Sequence, residues 1–123
     1  MAAPTYAASG TYLDGSAASA NVAAPAGVVA NSVVVIVMYL DGGTNQNVVP
    51  PAGWTAVEGS PVEQGNAIDL PNARLYVFWH RASGAEAGPY AFTWDNSVYR
   101  ECQAHRYEGA ATSGTPFDTP TDT

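Results

Sequence analysis

Lysine is absent from this sequence. Besides two histidines, its only cations are four arginines, set against 11 acidic residues, for a formal net charge of −7 over 123 residues. Phosphate binding needs clustered cations, so the composition excludes nucleic acid as a partner. Anionic membrane surfaces are excluded by the same electrostatics. Cysteine occurs once, at Cys102, which rules out an intrachain disulfide. Long apolar runs are missing as well: the longest, Val33–Leu40, has eight residues, whereas a spanning helix needs about 18 or more. The opening residues, Met1 to Tyr6, carry no basic segment followed by an apolar stretch and do not read as a secretory signal.

What is present suits one domain that turns often. Hydrophobic residues make up 46%, enough for a single core, while 12 glycines and nine prolines are too many for long helices. Val33–Leu40, bounded by Asn31-Ser32 and Asp41-Gly42-Gly43, reads as a strand buried on both faces or central to a sandwich. Arg74–Ala82 is a second clear strand. In Tyr90–Trp94 the large residues Tyr90, Phe92 and Trp94 alternate with Ala91 and Thr93, a half-buried strand pattern. Glu101–Gly109 alternates too, but with polar groups on both faces. Weaker strands are expected at Thr11–Leu13, Ser16–Val22 and Trp54–Val57, with a turn at Asp14-Gly15. Glu58–Leu70 reads as a long polar connection that holds at most an irregular edge strand. The expected organisation is an N-terminal arm or edge strand over 1–12, a β-sandwich over 13–110 and an extended tail over 111–123. Two corners end alike, at Pro25-Ala26-Gly27 and Pro51-Ala52-Gly53, and suit type I turns with proline second and glycine fourth.

Residues with chemistry to offer are few, and none form a recognised motif. Cys102, His105 and His80 are the candidate transition-metal set, but a structural zinc site takes four ligands. Positions 102 and 105 also differ by an odd number and point to opposite faces of a strand. Asp41–Asn47 is rich in oxygen donors yet lacks the spacing of a calcium-binding hand. Asp95, Glu101 and Glu108 lie near strand ends, and a pair of them could in principle run hydrolysis; nothing singles a pair out. No metal, cofactor or enzymatic activity is expected. Trp54, Trp79, Trp94, Tyr76, Tyr90 and Tyr99 read either as core or as a sugar-stacking platform. On Arg74–Ala82, Leu75, Val77 and Trp79 share one face and Tyr76, Phe78 and His80 the other. Both faces are apolar, the mark of a strand that meets the core on one side and a partner on the other. Arg81, Arg100 and Arg106 are expected to pair with nearby carboxylates or to serve at an interface. The candidate interface set is therefore Tyr76, Phe78, His80, Arg81, Arg100 and Arg106.

The order Val-Val-Val-Ile-Val, Pro-Ala-Gly-Trp-Thr, Leu-Tyr-Val-Phe-Trp-His-Arg-Ala, Pro-Tyr-Ala-Phe-Thr-Trp and Ala-His-Arg-Tyr-Glu-Gly resembles a β-sandwich module of bacteriophage virion proteins. That resemblance spans residues 28–118. Pro51, Gly53 and Trp54 match its corner, and Tyr107 and Gly109 its last strand. Relatives often continue with further strands beyond the position of Pro116-Phe117-Asp118, so an edge is expected to be completed by the N-terminal segment or by a neighbouring chain. The resemblance implies an all-β fold, a single Ig-like or jelly-roll-like sandwich of about six to eight strands. The function it implies is structural: a head decoration protein on the virion surface that docks on and stabilises the major capsid lattice. Its partners would be the major capsid protein or other virion subunits, with a homo-oligomer such as a trimer possible. The alternative is a tail-associated or surface adhesin module that binds host glycan.

Overall fold

The fold was analysed in a computed structural model, which describes residues 3–41, 46–64 and 73–117. It is all-β. Seven strands occur among these residues: β1 (Thr5–Ser9), β2 (Leu13–Val22), β3 (Val33–Asp41), β4 (Thr55–Ala56), β5 (Val62–Gln64), β6 (Ala73–Arg81) and β7 (Tyr90–Glu108). All are hydrogen-bonded into one open network in the order β1-β7-β3-β6-β4, with β2 on β7 and β5 on β6. Every pairing is antiparallel. The ladder is thus continuous, where an Ig-like or jelly-roll arrangement would divide it between two sheets.

One long strand makes that continuity. The segment 90–94 and all but the last residue of 101–109, read from sequence as separate strands, belong to a single 19-residue β7. Leu13–Ala17 pairs with Val98–Cys102, and Ser19–Val22 pairs with Tyr90–Thr93. Between these stretches Trp94–Ser97 stands opposite Ala18 alone. Such a bulge bends a strand and increases its twist. The polar groups it dislocates are satisfied locally, as buried backbone groups must be. Trp94 Nε1 donates to Ala17 O (3.0 Å) and Asn96 N to Gln46 Oε1 (2.9 Å).

The bend carries the start of β7 and the end of β2 over one face of the β7-β3-β6 strip. The core lies between. Val34, Ile36, Met38 and Leu40 of β3, with Tyr76 and Phe78 of β6 and Cys102 and Ala104 of β7, meet Ala20, Val22, Tyr90, Phe92, Trp94 and Val98. Phe92 is fully buried and its ring centroid lies 5.3 Å from that of Phe78. Trp54 closes one end, edge-on to Tyr90 and Phe92 at 4.8 and 5.5 Å. The tryptophan is delivered by the Pro51-Ala52-Gly53 corner. Pro51 O accepts from Trp54 N (3.4 Å) and Gly53 has φ +88°. Glycine is therefore the third residue of a type II turn, where positive φ is required, and not the fourth of a type I turn.

Two further expectations change. Asp14-Gly15 is no turn: both residues lie within β2, opposite Glu101 and Arg100. β2 forms despite its alanines because β7 supplies a partner along its whole length, and pairing outweighs weak intrinsic propensity. β3 is buried on one face for most of its length and not on both. Val37, on the other face, is 36% exposed.

Candidate interaction surface

Register fixes what that other face displays. Running along the strip, the rows are Tyr107–Val33–Arg81, His105–Val35–Trp79, Gln103–Val37–Val77, Glu101–Tyr39–Leu75 and Tyr99–Asp41–Ala73. Paired residues share a side of the sheet. Val35, Val37, Leu75, Val77 and Trp79 therefore make a contiguous apolar band, of which Leu75 is 39% exposed. Val62 of β5 extends it, since it pairs with Leu75. Asp14, opposite Glu101, joins Glu101 and Asp41 in an acidic end, while Arg81 and His105 sit toward the other end.

The segment 110–117 crosses the Arg81 end as a strap. Arg81 Nη2 donates to Ala111 O (2.8 Å) and Gly114 O (2.9 Å), and its guanidinium lies 5.5 Å from the Trp79 ring centroid. Phe117 meets Trp79 edge-on at 6.1 Å. Beneath the strap is an apolar cavity of about 300 Å³ lined by Val33, Val35, Tyr107, Pro116 and Phe117. At the acidic end a more polar cleft of about 270 Å³ lies among Tyr12, Val37, Tyr39, Glu101, Gln103 and His105. Tyr99 OH donates to Glu101 Oε1 (3.0 Å). A hydrogen bond to Glu101 is the main cause of the raised pKa of both Tyr12 and Tyr99. Burial, and then Asp41, raises that of Tyr39.

The six residues expected at an interface do not share a surface. Tyr76 and Phe78 are in the core. His80 closes its edge, stacked on Trp54 at 5.1 Å, with Nδ1 3.2 Å from Gly53 O and Nε2 2.8 Å from Glu86 Oε2. Tyr90 OH donates to the other oxygen of Glu86, and burial followed by that carboxylate raises the phenol pKa. Arg100 serves the edge of the sheet, donating to Ser19 O, Asp14 O and Gly15 O. Arg106 approaches Glu108 at 3.4 Å, and Glu108 in turn accepts from the buried Ser32 hydroxyl. Arg81 alone of the set lies on the open face. There and at Arg100 the contacts are to backbone carbonyls where carboxylates were expected.

The other candidate groupings also separate. Cys102 points into the core, whereas His105 points outward and accepts or donates through Nδ1 to Ser9 Oγ (2.8 Å). No cluster of three or more metal-ligating side chains occurs among the described residues. Glu101 and Glu108 are seven residues apart on one strand, about 23 Å, too far for two carboxylates to share a glycosidic bond. Trp54, Trp94, Tyr76 and Tyr90 are buried, leaving Trp79 and Tyr99 of the aromatic set on the open face. Of the Asp41–Asn47 loop, residues 42–45 lie outside the described residues; beyond them Gln46 O accepts from Tyr76 OH, and Asn47 N donates to Asp95 Oδ2.

Sequence reasoning missed Val35, Val37 and Leu75 as surface residues because each strand was read alone. The signal was in β7, where Glu101, Gln103 and His105 are polar and Cys102 and Ala104 are not. Register then passes that polarity to β3 and β6. No helix among the described residues is long and apolar enough to cross a membrane. No family model, no curated protein and no solved structure matches this chain.

Proposed function

We propose that this chain is a non-enzymatic assembly module of a virion surface, a head decoration protein that docks on the major capsid lattice. The observation that supports docking is the open apolar band Val35, Val37, Leu75, Val77 and Trp79. Water is released when such a band is covered, and burial contributes about 25 cal/mol per Å² of apolar area. Each contact is modest. Repetition over a shell raises the effective concentration of the next contact and supplies the remaining affinity. The charge of −7 keeps decorated particles apart. The virion assignment itself rests on the resemblance of residues 28–118 to phage modules. Its test is to mix the protein with undecorated shells of its own particle and measure binding, which is expected to saturate at a fixed number of copies per shell.

One observation favours a second reading. The cleft between Tyr12 and Tyr39 offers aromatic walls beside Glu101, Gln103 and His105, a combination that suits a sugar ring. A glycan-binding adhesin module would be retained on a glycan column and lose that retention on Tyr39→Ala, with no saturable binding to shells.

A further inference from the structure

We infer that the first partner of the open face is a second copy of this chain, docked face to face about a two-fold axis that runs across the strands through Val37 and Val77. The inference rests on reading the band as a protein contact. It goes further by naming a first partner, a second copy that covers the same face and gives way to the shell on docking, and by naming its orientation.

Three observations carry it. The first is charge. One end of the face holds Asp14, Asp41 and Glu101, and the other holds Arg81 and His105. A two-fold axis across the strands reverses one copy relative to the other. His105 then faces Glu101, and Arg81 faces Ala73, beside Asp41. The same operation sets Trp79 on Leu75 and Val35 on Tyr39, each pairing a bulky residue with a smaller one, while Val37 and Val77 meet their own copies on the axis. An axis along the strands would instead stack the acidic ends on each other, and like charges brought together oppose association.

Relief is the second observation. The strap is bound at the Arg81 end by two hydrogen bonds and by Phe117 on Trp79, and raises that end of the face. Reversal lays each raised end on the Leu75 end of the other copy, which no segment crosses among the described residues. Aligned packing would press strap against strap. The size of the face agrees. Four strand positions by nine residues span roughly 19 by 27 Å, or about 1,000 Å² for the pair, the lower bound for a specific interface.

The third is that the competing mode is blunted. Of the two edges, that of β4 and β5 has strands of only two and three residues among those described, which offer little ladder to a new strand; pairing through the other, formed by β1 and β2, would need a regular ladder. Register shifts interrupt it between Tyr6 and Ala8 and between Ala17 and Ser19. Just past β1, Gly10 N donates to Ala104 O, and Gly10 O is already occupied by Gln103 Nε2. Bulged edges resist strand addition, whereas the face has no such interruption.

The experiment is sedimentation equilibrium of the intact chain from about 5 to about 500 μM, with circular dichroism as the check on folding. The wild type is expected to pass from monomer to dimer, and Val37→Glu or Leu75→Glu to weaken association roughly 30-fold or more. Orientation is read with a short bis-maleimide. Val37→Cys lies on the axis and is expected to cross-link to itself, while Leu75→Cys is expected to give little self-linked product. A wild type that stays monomeric across the range overturns the inference, as does a dimer that both glutamate variants form as tightly. Efficient Leu75→Cys self-linking overturns the orientation. A monomer that still binds shells, and loses them on Val37→Glu, would reject the second copy and retain the decoration reading. A dimer that binds no shell would do the reverse.

Discussion

Cys102 of β7 lies 1% exposed between Met38 of β3 and Leu13 of β2, where burial pushes its thiol pKa from 9.0 up to about 11, against a smaller opposing effect of Arg100. A group whose pKa is raised by folding contributes stability that is fully present below its unfolded value and lost as pH rises through the folded one. Stability should therefore decline between about pH 9 and about pH 11, and Cys102→Ala should flatten the first part of that decline, as read from urea midpoints at stepped pH. Tyr39 and Tyr90, also raised mainly by burial, add a decline of the same sign above pH 10. An unchanged slope in the Cys102→Ala variant would contradict the burial argument. At this scale the sequence was partly readable. Strand parity by itself separates Cys102 from His105. The arginines were misread because backbone carbonyls are acceptors that leave no trace in composition, and Arg100 uses three of them.

The β2–β7 ladder is the element on which the fold turns. Arg100 holds Asp14, Gly15 and Ser19 carbonyls on both sides of the Ala17/Ser19 register shift. Gly15 there has φ +104°, a backbone state open to glycine and strained for other residues. Removing the fork in Arg100→Ala should cost about 1.5–3 kcal/mol in denaturant unfolding, in the range of charged hydrogen bonds. Arg100→Lys should recover little of it, since a single ammonium cannot reproduce the planar fork. A loss within experimental error of zero would show that the bulge holds without it. Elements with strong β-branched or alternating patterns, β3 and β6, were legible to within a residue or two. β7 was read as two strands because Asp95-Asn96-Ser97 has the composition of a turn. A bulge of turn residues and a true turn differ only in whether the chain continues in the same direction, which depends on β2 lying opposite. The same dependence cut β2 short: Ser16–Val22 reads as a weak strand on its own, and pairing with β7 carries it through Asp14-Gly15 back to Leu13.

At the scale of the molecule, one sheet bent over itself encloses a core and leaves its reverse side open. The strap tempers that exposure at one end. Arg81→Ala should free residues 110–117, seen as faster amide hydrogen exchange in that segment with little change in β3 or β6; protection equal to wild type would show that Phe117 alone holds it. The all-β class was legible from turn density and alternation. Which face of β6 looks outward was not, because Tyr76 and Phe78 on one side and Val77 and Trp79 on the other are equally apolar. Only assembly of three strands in register decides it, and that assembly turns an ambiguous pattern into the apolar band on which docking depends. The most direct measurement of that role is the binding isotherm of Val37→Glu against wild type on undecorated shells, with thermal midpoints measured in parallel. The account predicts saturable binding by the wild type and its loss in the variant at a nearly unchanged midpoint. Equal binding by both proteins, or none by the wild type, would contradict it.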